Sequence, residues 1–473
     1  MERKLYITGK YTGSKERLPV IDKYDGNSFA TVHLASVKDY DKAIQHAVNV
    51  FPETRKIPTW IRQKALRTIA DGLKKNRSEI ARILCVESGK PIRYALGEVD
   101  RATSTFNMAA DILTQWHGDI IPLDLTEASG NRFGLVRRFP VGPILGISPF
   151  NFPLNLAAHK IAPALATGNP IILKPASATP LSVFHIADMI KKTELPPGML
   201  QILPAKRQVT DKIIPDERLN MLTFTGSAEV GWKLKEKCGK KKIALELGGN
   251  AGVYVAADAE LDYAVQRCVM GAFAYSGQVC ISIQRIVLHQ NISDLFLEKF
   301  IAAVKKLKIG DPLDEKTDIG PMIDEENAKR VSKWIRDAVK DGAEILTGGN
   351  SDKKIVYPTV MRNVPAGCPL DSKEVFGPVV NIEIAANDQQ ALEKINNTDF
   401  GLQAGLFTRN LNLALNAFDD LDVGGVILND VPTFRVDNMP YGGVKDSGFG
   451  REGLFYTMEE MTEIKHLAIN RNL

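Results

Sequence analysis

Long apolar runs are missing from this chain of 473 residues: no stretch reaches the roughly 18 apolar residues that a membrane span requires. Cysteine is scarce. The five present (Cys85, Cys238, Cys268, Cys280 and Cys368) are odd in number and widely spaced, with no Cys-x-x-Cys pair. That argues against a disulfide framework or a structural zinc site. An excess of one charge is absent too. Sixty basic against 56 acidic residues leave a formal net charge of +4, so nothing recommends nucleic acid as a partner, and runs such as Lys240-Lys241-Lys242 read as solvated faces. The seven histidines show no metal-ligand spacing, so no metal is expected. Met1 to Tyr6 carries no apolar core followed by a small-residue cleavage site. A reducing cytoplasm is the expected location, and it keeps the cysteines as thiols.

What is present has ordinary globular proportions, 44% hydrophobic and 25% charged. The length calls for two to four domains or one large interleaved unit. Short apolar runs bounded by Gly or Pro alternate with amphipathic stretches. Strands are expected at Gly142–Ser148, Pro170–Lys174, Met199–Leu203, Leu219–Phe224 and Ile243–Leu247, with helices at Leu154–Thr167 and from about Ser227. The pattern restarts after Gly249 with a strand at Ala251–Val255 and a helix at Ala259–Tyr275, and further units follow to about residue 430. This alternation predicts an α/β fold with two parallel sheets flanked by helices. A helical region is expected ahead of the first sheet, at Asp39–Val50, Thr59–Lys75 and Ser78–Glu87. Arg132–Phe139 and Glu459–Ile469 are β-prone and fit neither unit; such strands pair with each other or with a neighbouring subunit.

Four blocks carry chemistry. In Ser276-Gly277-Gln278-Val279-Cys280 the cysteine follows a helix and a glycine, so its thiol belongs on a turn. A lone cysteine is most often a small buried hydrophobe, which is how the other four are read. Asn151 lies in Pro149-Phe150-Asn151-Phe152-Pro153, where two prolines stiffen the backbone and pre-position a side-chain amide that can hold an oxyanion. Glu246 sits near the end of a mostly apolar strand before Gly248-Gly249. A carboxylate there is paired, solvated at the strand tip, or functional, and burial would raise its pKa into the range useful for activating water. Thr225-Gly226-Ser227 is a strand, a turn and a helix start, whose free N–H groups and dipole favour a diphosphate; it lacks the GxGxxG spacing. Lys174 ends a parallel strand, where such sheets place ligands.

Together with Glu374-Val375-Phe376-Gly377-Pro378 and Pro440-Tyr441-Gly442-Gly443-Val444-Lys445, these blocks resemble the aldehyde dehydrogenase superfamily, in order and over nearly the whole chain. The resemblance implies a Rossmann-like cofactor domain (residues 1–117 and 140–245), an α/β catalytic domain (246–438) and a small β-flap for oligomerisation (118–139 and 439–473), assembled as a homodimer or homotetramer. It implies NAD or NADP as cofactor and a small-molecule aldehyde as substrate. Cys280 is then the nucleophile, Glu246 the general base and Asn151 the oxyanion donor. The cofactor contacts are Ile147, Ser148, Pro149, Phe150, Lys174, Ser177, Gly226, Ser227, Glu374 and Phe376. Relatives that pass the acyl group to coenzyme A usually lack the glutamate, so hydrolysis of the thioester is implied.

One departure is informative. NAD-preferring members often carry a glutamate three residues after the lysine, whereas Lys174 here is followed at that spacing by Ser177. Serine accepts a 2′-phosphate that glutamate would repel, so NADP is expected to be used well, even preferred. Residues 280–285 and 434–440 are most similar to the lactaldehyde dehydrogenase branch. Glyceraldehyde-3-phosphate and semialdehyde oxidisers are less close. Arg435 is read evenly as a domain-contact arginine or as a site for an anionic group on the substrate. A catalytically silent binding protein of the same family is the rival class; it predicts loss of Cys280 or Glu246, and both are present.

Overall fold

Each short Val/Ile/Leu run between glycine or proline becomes a strand, and the longer stretches between them become helices. The computed structural model describes residues 1–471; the last two residues of the expected bridging segment 439–473 lie outside the described residues. The first sheet has eight strands. Five are parallel, in the spatial order Lys242–Glu246, Met221–Thr225, Ile144–Ile147, Ile171–Lys174 and Leu200–Ile202. The chain order reverses beside Ile144–Ile147, which makes the carboxyl ends of the central strands the crevice of the sheet. Their register draws one line of residues across it: Lys174 opposite Ile147, Ile147 opposite Phe224, and Thr225 opposite Glu246.

The second sheet has seven strands, in the order Glu344–Thr347, Thr359–Arg362, Val379–Ala385, Ile283–His289, Ala251–Val255, Ala404–Phe407 and Val426–Leu428. All pairs are parallel except the first. Cys280, Glu374 and Gly249 each lie just before one of these strands. The two sheets therefore meet with the carboxyl ends of one facing the amino ends of the other, joined by Leu247–Asn250. That junction is where Asn151, Glu246 and Cys280 lie close together.

Of the three expected early helices, Thr59–Lys75 is found as drawn, and the others run Val37–Thr54 and Arg77–Ser88. The region is not helical throughout. Five strands of two to six residues precede it, and Leu5–Ile7 joins the first sheet antiparallel to Leu200–Ile202. Strands this short show no periodicity of their own; pairing decides them, with one another for four of the five and with a strand almost 200 residues away for Leu5–Ile7. A long helix at Ile92–Ile112 was also not marked by the pattern. Gly97 and Thr103-Ser104-Thr105 weaken its propensity, and burial of Ala95, Val99, Ala102, Phe106 and Ala109 in the main core overrides that. Arg132–Pro140 and Thr462–Asn470 pair with each other in nine-residue antiparallel register, and Asp119–Pro122 adds a third strand.

Candidate active site

The crevice of the first sheet holds the expected cofactor residues on one rim. Ser227 N-caps the ten-residue helix Ala228–Lys237 without spending its hydroxyl on a cap bond, which leaves the N–H groups of the first turn free for an anion. Buried Ser148 has a hydroxyl with no partner among the described residues. Lys174 donates only to its neighbour Pro175 O, at 3.3 Å, and burial lowers its ammonium to about 8. Ile147 is buried, Pro149 and Phe150 are half-buried, Gly226 is half-buried, and Ser177 is exposed. Across the crevice, Glu374 Oε1 accepts the Gly249 N–H at 3.2 Å, and burial lifts its carboxyl to about 7. A Cβ on Gly248 would lie 2.4 Å from Glu374 Oε2, so only glycine lets the carboxylate lie this close. Phe376 meets Phe150 edge-on, with ring centroids 5.6 Å apart. Free helix N–H groups, an unpartnered hydroxyl, an uncompensated ammonium and a carboxylate on the far rim together suit a dinucleotide lying across the sheet.

Cys280 lies on a turn that the backbone reaches under strain. Tyr275, Ser276 and Gly277 are all left-handed, with φ of 50°, 54° and 68°. For the two non-glycine residues this costs about 1–3 kcal/mol each. The surroundings hold them there: Tyr275 Oη donates to Ser88 O at 2.9 Å, and Ser276 Oγ donates to Gly320 O at 2.8 Å. A Cβ on Gly277 would lie 2.2 Å from Gly377 O. Next, Gln278 Oε1 accepts the Ile323 N–H at 2.8 Å, and Gln278 O accepts the Asn151 Nδ2–H at 3.1 Å. Asn151 thus reaches within two residues of Cys280. The sulfur lies 3.1 Å from Tyr441 Oη. Burial pushes its thiol up to about 11, against the Tyr441 hydrogen bond and the Arg435 charge, which both pull it down.

Glu246 closes the other side. Its Oε1 lies 3.0 Å from where a Cβ on Gly442 would be, one residue beyond Tyr441. Its Oε2 is buried with no hydrogen-bond partner among the described residues. Burial raises its carboxyl well above the usual range; repulsion from Glu452 adds to this, and Arg435, Lys160 and Arg451 partly offset it. Glu452 has the opposite fate. Burial opposes its charge, yet Lys160 (3.1 Å) and Arg435 (3.2 Å) hold its carboxyl down at about 2. Arg435 also lies over the Tyr441 ring, 3.6 Å from its centroid, and its Nε–H has no partner among the described residues.

The chain therefore brings Cys280, Asn151, Glu246 and Arg435 together, with Glu374 and Phe376 at the mouth and Lys174, Ser177 and Ser227 farther along the crevice. Two members of this cluster, Glu452 and Lys160, carry no mark in the sequence reading, and a third, Tyr441, stands there within a block but with no role assigned. The signal for Lys160 is visible in retrospect, since His159-Lys160 interrupts an otherwise apolar helix, Asn155–Thr167, every residue of which is buried. Lys160 bonds Thr223 at 3.0 Å and Thr225 at 2.8 Å as well as Glu452, and His159 bonds Asp437 at 2.8 Å. Tyr441 and Glu452 owe their position to a backbone bridge between segments eleven residues apart, which no local pattern reports.

Comparison with known proteins identifies the family. The aldehyde dehydrogenase family model matches residues 11–467. The chain is 40% identical over 467 residues to a 3-sulfolactaldehyde dehydrogenase of Priestia aryabhattai, covering 98% of each. It is 41% identical over 472 residues to a lactaldehyde dehydrogenase of Methanocaldococcus jannaschii, covering 99% of this chain and 100% of that one. Among solved structures, aldehyde dehydrogenase 21 of Physcomitrella patens, in complex with the reaction product succinate, matches with a TM-score of 0.98 and 44% identity, over 100% of this chain and 98% of that one. Glyceraldehyde-3-phosphate dehydrogenase of Methanocaldococcus jannaschii, complexed with NADP, matches with a TM-score of 0.93 and 40% identity, over 97% and 100%. With a two-sheet α/β fold, a dinucleotide crevice and a family match over nearly its whole length, this chain belongs to the aldehyde dehydrogenase family and is a non-acylating NAD(P)-dependent aldehyde dehydrogenase.

Proposed function

We propose that the substrate is a small hydroxylated or anionic aldehyde of the lactaldehyde class, oxidised to its acid through a thioester on Cys280. The observation that carries the chemistry is the convergence of one sulfur, one amide and one unpaired carboxylate at the sheet junction. Cys280 loses its thiol proton to solvent and adds as the thiolate to the aldehyde carbon, whose C=O pair moves to the oxygen. The Asn151 amide turns from Gln278 O to the new alkoxide, and the Cys280 N–H serves as the second donor. Bound NAD(P) supplies the hydride acceptor. Glu246, raised by burial, then takes a proton from the water that releases the acid. Lys174, Ser177, Gly226 and Ser227, with Ile147, Ser148, Pro149 and Phe150, hold the adenosine and diphosphate; Glu374 and Phe376 hold the nicotinamide ribose. NADP is used well, because Ser177 puts no carboxylate near Lys174.

Arg435 is the residue proposed to favour an anionic or hydroxylated substrate. Its Nη2–H donates to Glu452 and its guanidinium lies over the Tyr441 ring, while its buried Nε–H has no partner among the described residues. Relatives named for 3-sulfolactaldehyde and lactaldehyde support this class. A structural match holding succinate keeps semialdehydes as a second reading, and one named for glyceraldehyde-3-phosphate keeps that substrate too. The test is kcat/KM for lactaldehyde, 3-sulfolactaldehyde, succinate semialdehyde, glyceraldehyde-3-phosphate and propanal, each with NAD and with NADP. Propanal as the best of the five would contradict the proposal.

The two sheets support the division into a cofactor domain (1–117 and 140–245) and a catalytic domain (246–438). The three-stranded sheet exposes Ile120, Ile464 and Leu467. Ile120 and Leu467, both paired opposite Leu135, share one face of it, and Ile464 lies on the other; these exposed apolar residues support 118–139 and 439–473 as the segment that builds a homodimer or homotetramer. Five free cysteines accord with a cytoplasmic location.

A further inference from the structure

Outside the reacting groups, one buried charge touches both turns that carry them. Lys90 and Glu98 form an ion pair with neither side chain exposed to solvent. The Lys90 ammonium also lies over two rings, 3.8 Å from the centroid of Phe152 and 4.8 Å from that of Tyr275. Phe152 is the residue after Asn151. Tyr275 is the first residue of the strained run that leads to Cys280. The two rings also meet edge-on, with centroids 6.1 Å apart. Glu98 uses its other oxygen on the same construction: Oε1 accepts the N–H groups of Leu154 at 2.9 Å and Asn155 at 3.1 Å. Those groups open the helix Asn155–Thr167 and would otherwise be unpaired.

We propose that Lys90, locked to Glu98, is a positioning residue that sets the distance between the Asn151 turn and the Cys280 turn. This rests on the roles assigned above to Asn151 and Cys280. The physical reason is that a cation between two ring faces holds both of them, and the Glu98 carboxylate fixes the cation relative to the helix that follows Asn151. Stability alone is a weak explanation, because desolvation of a buried pair largely cancels its attraction. Placement is a stronger one, because the Asn151 amide bonds the carbonyl of Gln278 across this junction. A small change in separation would move the oxyanion donor relative to the sulfur.

The test is a double-mutant cycle read by stopped flow, following the first turnover of reduced cofactor with the best aldehyde of the panel. The neutral pair K90M/E98Q removes the ammonium without stranding a charge. It is expected to slow the first turnover by about tenfold or more, the scale of a misplaced catalytic group, with KM changed by less than about threefold. In an N151A background the same pair should slow it by less than about twofold further, because the donor being positioned is gone. Equal losses in both backgrounds, or no loss in the first, would overturn the proposal. If the pair variant does not fold, Phe152→Leu leaves both charges paired and removes one ring. It must show the same direction and the same dependence on Asn151, and a wild-type rate for it would also overturn the proposal. N151A at the wild-type rate would instead refute the role given to Asn151, and this proposal with it.

Discussion

Glu98 and Glu246 are both almost fully buried, 1% and 4% exposed, yet the chain treats them in opposite ways. Glu98 has every demand met: Lys90 on one oxygen and two backbone N–H groups on the other. Glu246 keeps one oxygen without a partner among the described residues and faces a second carboxylate, Glu452. A satisfied carboxylate is a fixture. An unsatisfied one is ready to take a proton, since its charged form lacks support until it does. Glu452 shows that the same wall can also satisfy a carboxylate, given Lys160 and Arg435. The unpaired state of Glu246 is therefore specific to that position.

Breaking the reacting side should have the largest effect. Cys280→Ser is expected to lower kcat by at least about 10⁴-fold, since an alcohol lacks the intrinsic nucleophilicity of sulfur; reduced-cofactor absorbance measures it directly. Asn151→Ala should cost about 10²–10³ in kcat, the usual loss for one oxyanion donor, with a smaller change in KM. The contrast with the fixture is sharpened by pH. Burial raises the Glu246 carboxyl, so its proton persists above the ordinary carboxylate range and the basic form appears only as pH rises further. A kcat profile should therefore climb with pH along an acid limb displaced upward, and a limb at the pKa of an exposed carboxylate would count against this role. Arg435→Ala should reduce kcat/KM about tenfold more for 3-sulfolactaldehyde than for propanal, the worth of one charge-assisted hydrogen bond. The smallest effect concerns the cofactor: NAD should not exceed NADP in kcat/KM by more than about tenfold, near 1.4 kcal/mol.

The same contrast separates what was legible in the sequence from what was not. Cys280, Asn151 and Glu246 stand out because each breaks a local pattern: a thiol after a glycine turn, an amide between prolines, a carboxylate in an apolar strand. The five parallel strands of the first sheet and Ala251–Val255 of the second were legible for the same reason, as apolar runs near Gly or Pro, whereas the other strands of the second sheet were foreseen only as further units to about residue 430. Lys90, Glu98, Glu452 and Tyr441 break nothing locally. Only the fold brings their partners near: Phe152 and Tyr275 to Lys90, the Leu154 and Asn155 N–H groups to Glu98, Lys160 to Glu452 across 292 residues, and Cys280 to Tyr441 across 161. The N-terminal strands were hidden likewise, because Leu5–Ile7 becomes a strand by pairing with Leu200–Ile202. Arg435 was left evenly between structure and substrate. Its contacts with Glu452 and Tyr441 give it a structural role, and the substrate role rests on the proposal above, with an Nε–H that has no partner among the described residues.

The most direct test of the convergence at the sheet junction is Glu246→Gln mixed with aldehyde and NADP, followed by stopped flow and intact-protein mass. If Glu246 acts on the thioester water and not on thiohemiacetal formation, the variant forms about one reduced cofactor per subunit at near the wild-type rate. It then stalls with the acyl group attached at Cys280. Continued turnover at the wild-type rate, or a stalled protein with no added mass on Cys280, would contradict it.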